Sequence, residues 1–131
     1  MLNAESKQIS KTLIKARQAI DRTAIVYHSS SFFAFGGRID SIFYDSNIIA
    51  RLDTSTLTWT RAGELNLGRK GHGVIANGDV MIVTGGRGNL DTEVCSLQND
   101  VVECSTQWPT LDNYYAYPEM YLVDDTFCKD I

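Results

Sequence analysis

The sequence has no long apolar run, no basic cluster and no Asn-x-Ser/Thr motif. None of its 131 residues belongs to an apolar run approaching the ~20 residues that cross a bilayer, and residues 1–20 lack the apolar stretch of a secretory signal. Its longest run of Lys and Arg is Arg69-Lys70, and the formal net charge is −4. We therefore predict no membrane-spanning segment, no nucleic-acid partner and, for the chain as written, a cytoplasmic location.

Histidines are also few, and their spacing argues against chemistry. His28 falls in a predicted turn and His72 begins a predicted strand, and no pattern brings Cys, Asp or Glu beside them. The run Gly85-Gly86-Arg87-Gly88-Asn89 is followed by a predicted strand, whereas a phosphate-binding loop requires a helix there. We therefore expect no catalytic residue, no metal, no cofactor and no enzymatic activity.

The first 22 residues differ from the rest. With 44% hydrophobic and 21% charged residues the chain has a globular composition. Ile9, Leu13, Ala16 and Ile20 are spaced by four, three and four residues, which places them on one face of a helix. Residues 1–22 are thus predicted to form an amphipathic α-helix, either a packing or capping element or a partner-binding helix.

From Thr23 onward the pattern is that of strands and turns, written twice. Gly85-Gly86-Arg87 follows Gly36-Gly37-Arg38 by 49 residues, and at this offset apolar residues match apolar residues in the strands before each Gly pair. The predicted strands are Ala24 to Tyr27 and Phe32 to Phe35 in the first copy, Gly73 to Ala76 and Val80 to Thr84 in the second. Asn77-Gly78-Asp79 is a predicted turn, since Asn-Gly between two apolar runs is a strong hairpin signal. A repeat of about 50 residues is typical of a four-stranded propeller blade.

The second half of each copy adds two more strands. Residues 47–53 and 57–60 are predicted strands in the first copy, and residues 92–97 and 101–104 in the second. Aligning Leu52 with Leu97 places Cys104 at the position of Trp59. Residues 117–131 read as the opening of a third copy.

Three segments together resemble the kelch repeat, and the resemblance covers about residues 23–128. They are Arg69 to Gly73, Val80 to Gly86, and Arg51-Leu52-Asp53 with Thr56 and Trp59. The resemblance implies an architectural role for six positions: Gly36, Gly37, Trp59, Arg69, Gly85 and Gly86. The chain departs from the family at Ile20, which stands where the first copy should have its Arg, and at Cys104, which replaces the aromatic residue.

The resemblance implies an all-β fold, an incomplete kelch-type β-propeller of two four-stranded antiparallel blades preceded by the short helix. The expected divisions are the helix at 1–22, the first blade at 23–68, the second at 69–116 and a truncated third at 117–131. Because two blades cannot close a propeller, we expect either further blades in a longer protein, of which this chain is a fragment, or self-association.

The three cysteines leave two alternatives open. If Asn99-Asp100 form a two-residue hairpin turn, Cys95 lies directly opposite Cys104, where a disulfide can form in a close pair. Three reduced thiols are the other reading. A disulfide indicates an oxidising compartment, and hence an extracellular location for a protein whose N-terminus is incomplete.

The resemblance implies a non-catalytic scaffold for protein–protein interaction. In such scaffolds the loops carry the binding surface, and the candidates here are Arg38, Asp40, Arg87 and Asn89. Two alternatives are a galactose-oxidase-like carbohydrate oxidase propeller, whose copper site matches no stretch of this chain, and the substrate-recruiting propeller of a ubiquitin-ligase adaptor.

Overall fold

A computed structural model describes residues 20–39, 44–86, 88–106, 110–111, 118 and 120. These described residues form eleven strands and no helix, so the described part of the chain is all-β, and it contains no helix that could cross a membrane. The strands are β1 (Ile20–Asp21), β2 (Ala24–His28), β3 (Ser31–Phe35), β4 (Arg38–Ile39), β5 (Tyr44–Asp45), β6 (Ile48–Asp53), β7 (Thr58–Glu64), β8 (His72–Asn77), β9 (Val80–Gly85), β10 (Glu93–Gln98) and β11 (Val101–Ser105).

Eight of these strands form two consecutive antiparallel units. The first unit has the order β2-β3-β6-β7 and the second unit the order β8-β9-β10-β11. The units join where Gly63 of β7 pairs in parallel with Val102 of β11, and β2 contacts β8 at the other side. The eight strands therefore form a nearly closed, barrel-like sheet, with β1, β4 and β5 in a small separate sheet.

Tight turns connect the strands at one end of both units. Ser29-Ser30 and Asn99-Asp100 have positive φ at both residues, as a two-residue hairpin turn of the primed type requires. In the β8–β9 hairpin Asn77 pairs with Val80, so Gly78 and Asp79 of the predicted turn lie between the strands and Asn77 ends β8. Only Gly78 has positive φ there, at 60°, which is the pattern with glycine in the first central position.

The hydrophobic core lies between the two units. It is formed by residues of both units and of the linker, residues 65–71, which connects β7 to β8. These core residues are Phe33, Phe35, Ile49, Ala62, Leu65, Met81, Val83, Cys95 and Val102. Side chains alternate between the two faces of a strand. Each unit therefore has an inner face, which points into this core, and an outer face.

The units bury opposite faces of the repeated pattern. Phe33 is fully buried, but its counterpart 49 residues later, Ile82, is only half-buried. Conversely, Phe32 is 41% exposed, whereas its counterpart Met81 is 0% exposed. This inversion follows from packing two successive repeats against each other, because the inner face of one and the inner face of the next are different sides of the same motif.

Two sequence-based expectations concern the two ends of the chain. The predicted helix is wrong at Ile20–Asp21, which form β1 because they pair with Ile39 and Arg38 of β4; residues 1–19 lie outside the described residues. Of the predicted third copy at 117–131, only Pro118 and Met120 are described.

The alignment of Leu52 with Leu97 is also wrong. Ala34 of β3 and Val83 of β9 are counterparts in the repeat, and they pair with Ala50 and Glu93. Two residues further along β6 and β10, Leu52 and Cys95 are therefore counterparts. This register makes Cys104, which pairs with Cys95, the counterpart of Trp59, which pairs with Leu52. The difference arises because the second hairpin is longer: nine residues separate Cys95 from Cys104 and seven separate Leu52 from Trp59, since β10 and β11 continue for two more residue pairs before their turn.

Candidate functional site

The first Gly pair lies where the linker between the units crosses the first unit. Gly36 and Gly37 have φ values of 58° and 106°. The amide of Gly37 donates to the carbonyl of Arg69 at 2.7 Å, and a Cβ on Gly36 would lie 2.7 Å from that same oxygen. Glycine is therefore required here both by the backbone angles and by the close approach of the linker.

Arg69 is buried at the entrance to the second unit. Its side chain is 0% exposed, as is that of Glu93, and the two form an ion pair with Nη2 and Oε2 3.1 Å apart. Arg69 also donates from Nε to Glu93 at 3.2 Å and from Nη1 to the carbonyl of Gly85 at 2.9 Å. The arginine thus connects the start of the second unit to the Gly pair that ends β9.

Glu93 is the residue that sequence reasoning missed. Besides Arg69, its carboxylate accepts hydrogen bonds from the backbone and side-chain nitrogens of Asn66, at 2.6 and 3.0 Å, and from the amide of Leu67 at 3.4 Å. All of these groups belong to the linker. The available signal was its phase, since Glu93, Cys95 and Leu97 alternate onto the inner face, where a carboxylate requires a cationic partner.

Both histidines are buried among structural elements. Burial lowers the pKa of His72 from its ordinary 6.5 to about 4. The positive charge of Arg69 acts in the same direction, while a backbone group of Phe35 and the charge of Glu93 oppose it. Within the described residues, no group of three or more His, Cys, Asp or Glu side chains is arranged to hold a metal ion.

Cys95 and Cys104 form a disulfide across β10 and β11, with their Cα atoms 4.0 Å apart. The Asn99-Asp100 turn sets the register that places them opposite each other. Cys95 is fully buried in the core and Cys104 packs against it, so the bond faces the first unit. Its position within the core gives it a structural role.

Trp59 faces away from the second unit. Arg51 lies on the inner face of β6, because its guanidinium lies over the ring of the inner-face residue Phe33, 5.6 Å from the centroid. The next residue, Leu52, pairs with Trp59. Alternation therefore places Leu52 and the half-buried Trp59 on the outer face of the first unit.

The four predicted loop residues have different outcomes. Arg38 lies half-buried in β4, and Asn89 lines a shallow, solvent-open groove of about 460 Å³. Asp40 and Arg87 lie outside the described residues. The groove is lined by the linker, the β9–β10 loop and the segment after β11, through Leu67, Gly68, Gly88, Asn89, Leu90, Asp91 and Thr110.

The groove combines apolar and polar groups. Leu67 is 39% exposed and Leu90 is half-buried, while Asn89 and Asp91 supply an amide and a carboxylate. The Asn89 side-chain oxygen accepts from the amide of Asp91 at 3.4 Å, and the amide of Leu111 donates to the carbonyl of Leu90 at 2.8 Å. These contacts order the loop, and the resulting surface offers both apolar contact and hydrogen bonding to another molecule.

No protein-family model matches this chain, and no curated protein matches it.

Proposed function

We propose that this chain is a non-catalytic protein-binding scaffold built from kelch-type units of an incomplete β-propeller. Two features support the kelch assignment: each unit has four antiparallel strands in the same chain order, and each second strand ends in a Gly pair with positive φ. Further units of the same polypeptide, or other copies of it, complete the assembly.

The groove lined by Leu67, Asn89, Leu90 and Asp91 is the observation that carries the binding proposal. It lies at the end of the units where the longer connections gather, and the tight hairpin turns are at the opposite end. A protein segment can place an apolar side chain against the two leucines while its backbone hydrogen-bonds to Asn89 and Asp91.

The experiment compares two variants that add the same charge at opposite ends. Leu67→Glu places a carboxylate in the groove, and Thr54→Glu places one in the exposed β6–β7 loop. Proteins captured by the wild-type chain are identified by cross-linking and mass spectrometry, then purified and titrated against each variant. We expect Leu67→Glu to weaken binding by at least about tenfold, equivalent to roughly 1.4 kcal/mol, and Thr54→Glu to leave it unchanged.

Equal binding by all three proteins contradicts the groove as the binding surface. The oxidase alternative makes a separate prediction, since a galactose-oxidase-like protein binds copper stoichiometrically and releases peroxide when it oxidises a sugar. Copper content and peroxide release on galactose, measured with the same preparations, distinguish the two functions.

A further inference from the structure

The outer face of the first unit carries most of the exposed large hydrophobic side chains among the described residues. Of the six such side chains in the described part of the chain, four lie on this face: Ile25 at 55%, Tyr27 at 59%, Phe32 at 41% and Ile48 at 37%. Tyr27 and Phe32 pair across β2 and β3 with ring centroids 5.0 Å apart. A group of exposed apolar side chains on one sheet face is typical of a surface that is covered by another molecule.

The internal repeat identifies what kind of surface this is. The counterparts of Ile25, Tyr27 and Phe32 in the second unit are, in order, Val74 and Ala76, which pack against the core, and Met81, which belongs to it. The exposed face of the first unit is therefore the same side of the motif that, in the second unit, packs against a preceding sheet. Its apolar residues follow from that packing role.

The same comparison shows which surface fits it. Within the chain, the inner face of the second unit packs on the inner face of the first, through Val26 and Phe33 among others. The counterparts of these two residues are Ile75 and Ile82, both half-buried on the outer face of the second unit. That outer face is thus the side of the motif that packs against a following sheet.

Exposed side chains on the outermost strands are compatible with this pairing. Val101 on β11 lies on the outer face of the second unit, opposite Gln98, and is 49% exposed. Arg61 on β7 lies on the outer face of the first unit, opposite Ala50, and its charge is balanced by an ion pair with Glu64 of the same strand.

We propose that copies of this chain associate head to tail, with the outer face of the first unit of one copy packed on the outer face of the second unit of the next. Pro118 and Met120 lie against Gly73 at one end of the second face, and Ile82, farther along β9, stays partly exposed. Such a heterologous contact either closes into a ring or continues as a chain. The inference rests on the repeat and its burial pattern and not on the groove.

The test uses the full chain and one charged substitution on each face. Sedimentation velocity of the wild type is expected to show a mass that rises with concentration. Phe32→Glu removes the first face and Ile82→Glu removes the second, so each variant alone is expected to be monomeric. Mixed together, each contributes its intact face, and they are expected to form one-to-one dimers that grow no further.

Two controls separate folding and the groove from this interface. Tyr27→Glu, at the most exposed position of the patch, repeats the Phe32 test with less risk to folding, and circular dichroism checks the strand content of each variant. Leu67→Glu and Thr54→Glu add charge elsewhere and are expected to associate as the wild type does.

Either of two results overturns the proposal. A wild-type chain that stays monomeric at every concentration shows that no second copy covers the face. If Ile82→Glu alone still forms dimers while Phe32→Glu does not, the contact joins two first units symmetrically and is not head to tail.

Discussion

The two units share a backbone path but differ where the third strand meets the fourth. In the first unit a four-residue loop, residues 54–57, is held by Asp53, whose Oδ1 accepts from the amides of Ser55 at 2.9 Å and Thr56 at 3.2 Å. The Ser55 hydroxyl, which donates to the same oxygen at 2.6 Å, lowers the pKa of Asp53 together with these two amides. In the second unit a two-residue turn and a disulfide occupy the same place. A side-chain hydrogen-bonded loop and a covalent link thus serve equivalent hairpins.

A second difference lies in the buried ion pair. The counterpart of Arg69 is Ile20 by the 49-residue offset, and the register that pairs Ala34 with Ala50 and Val83 with Glu93 makes Ala50 the counterpart of Glu93. Both members of the pair are absent from the first unit. The lesson is that a repeat can keep its strands while interacting residues are exchanged together, because a lone buried charge is costly.

Removal of one partner of the ion pair is expected to have the largest effect. Glu93→Ala leaves Arg69 charged and buried and leaves the linker amides without an acceptor, which costs about 3–5 kcal/mol of unfolding free energy. Adding Arg69→Ile, so that the second unit has the residues of the first, is expected to cost less than the sum of the single changes. Urea unfolding of both single variants and the double variant measures this.

The exposed pair of Arg61 and Glu64 is the control for that cycle. Arg61→Ala is expected to cost roughly 1 kcal/mol or less, since solvent screens an exposed pair. A Glu93→Ala loss of similar size would contradict the importance of the buried pair.

His72 is expected to make stability depend on pH. Its folded-state pKa of about 4 lies below the ordinary 6.5, so between these values the unfolded chain binds a proton that the folded chain does not. The contribution of His72 to the unfolding free energy is complete above about pH 6.5 and falls as the pH drops towards 4. The total change is roughly 3 kcal/mol.

The first unit supplies the control substitution for His72, because Thr23 is its counterpart and donates to the carbonyl of Phe35 at 3.0 Å. Urea midpoints of wild type and His72→Thr are measured from pH 7 to 4. The substitution adds a difference that does not depend on pH, and beyond it the wild-type midpoint is expected to fall more steeply than that of the variant as the pH drops. Parallel curves for the two proteins would rule out His72 as the source of the dependence.

Loss of the disulfide is expected to destabilise the chain by about 2–3 kcal/mol, because the bond closes a loop between residues nine apart. Cys128→Ser serves as the background, so that no third thiol exchanges with the pair. In this background a reductant should lower the urea midpoint. The further change of Cys95 and Cys104 to Ala should abolish the response to reductant, and a persisting response would count against a stabilising bond.

The smallest expected effect compares two glycines with nearly equal backbone angles. Gly36 and Gly78 have φ of 58° and 60°, so Ala at either position costs about 1–2 kcal/mol for the left-handed conformation. A Cβ on Gly78 meets nothing within 4 Å, whereas one on Gly36 meets the Arg69 carbonyl. Thermal unfolding should therefore show Gly36→Ala to be the more destabilised variant; equal losses would mean that the linker moves without cost.

Local chemistry made much of the fold predictable. The alternation of β2, β3, β8 and β9, the Gly pairs and the register of Cys95 with Cys104 depend on neighbouring residues and on turn chemistry. Two errors have local causes as well. Ile20–Asp21 pair with β4, which a helical period cannot reveal. The β10–β11 hairpin extends two residue pairs further than the β6–β7 hairpin, which displaced the alignment of β6 with β10.

The candidate site was less predictable from sequence. Asn89 was identified from its loop, but Leu67 and Thr110 come from separate segments that meet this loop only in the folded chain. Glu93 was missed because its partners, Asn66, Leu67 and Arg69, precede it by more than twenty residues.

The sequence alone determined the strands, their turns and the 49-residue repeat, because these depend on side-chain alternation and on residues that tolerate positive φ. Only the tertiary structure decided which face of each unit is buried. Both faces of the motif are apolar, as Phe32 and Phe33 illustrate, so the pattern is compatible with burial on either side. Packing the second unit on the first buried Phe33 and left Phe32 exposed, and that choice defines the surface available to another molecule.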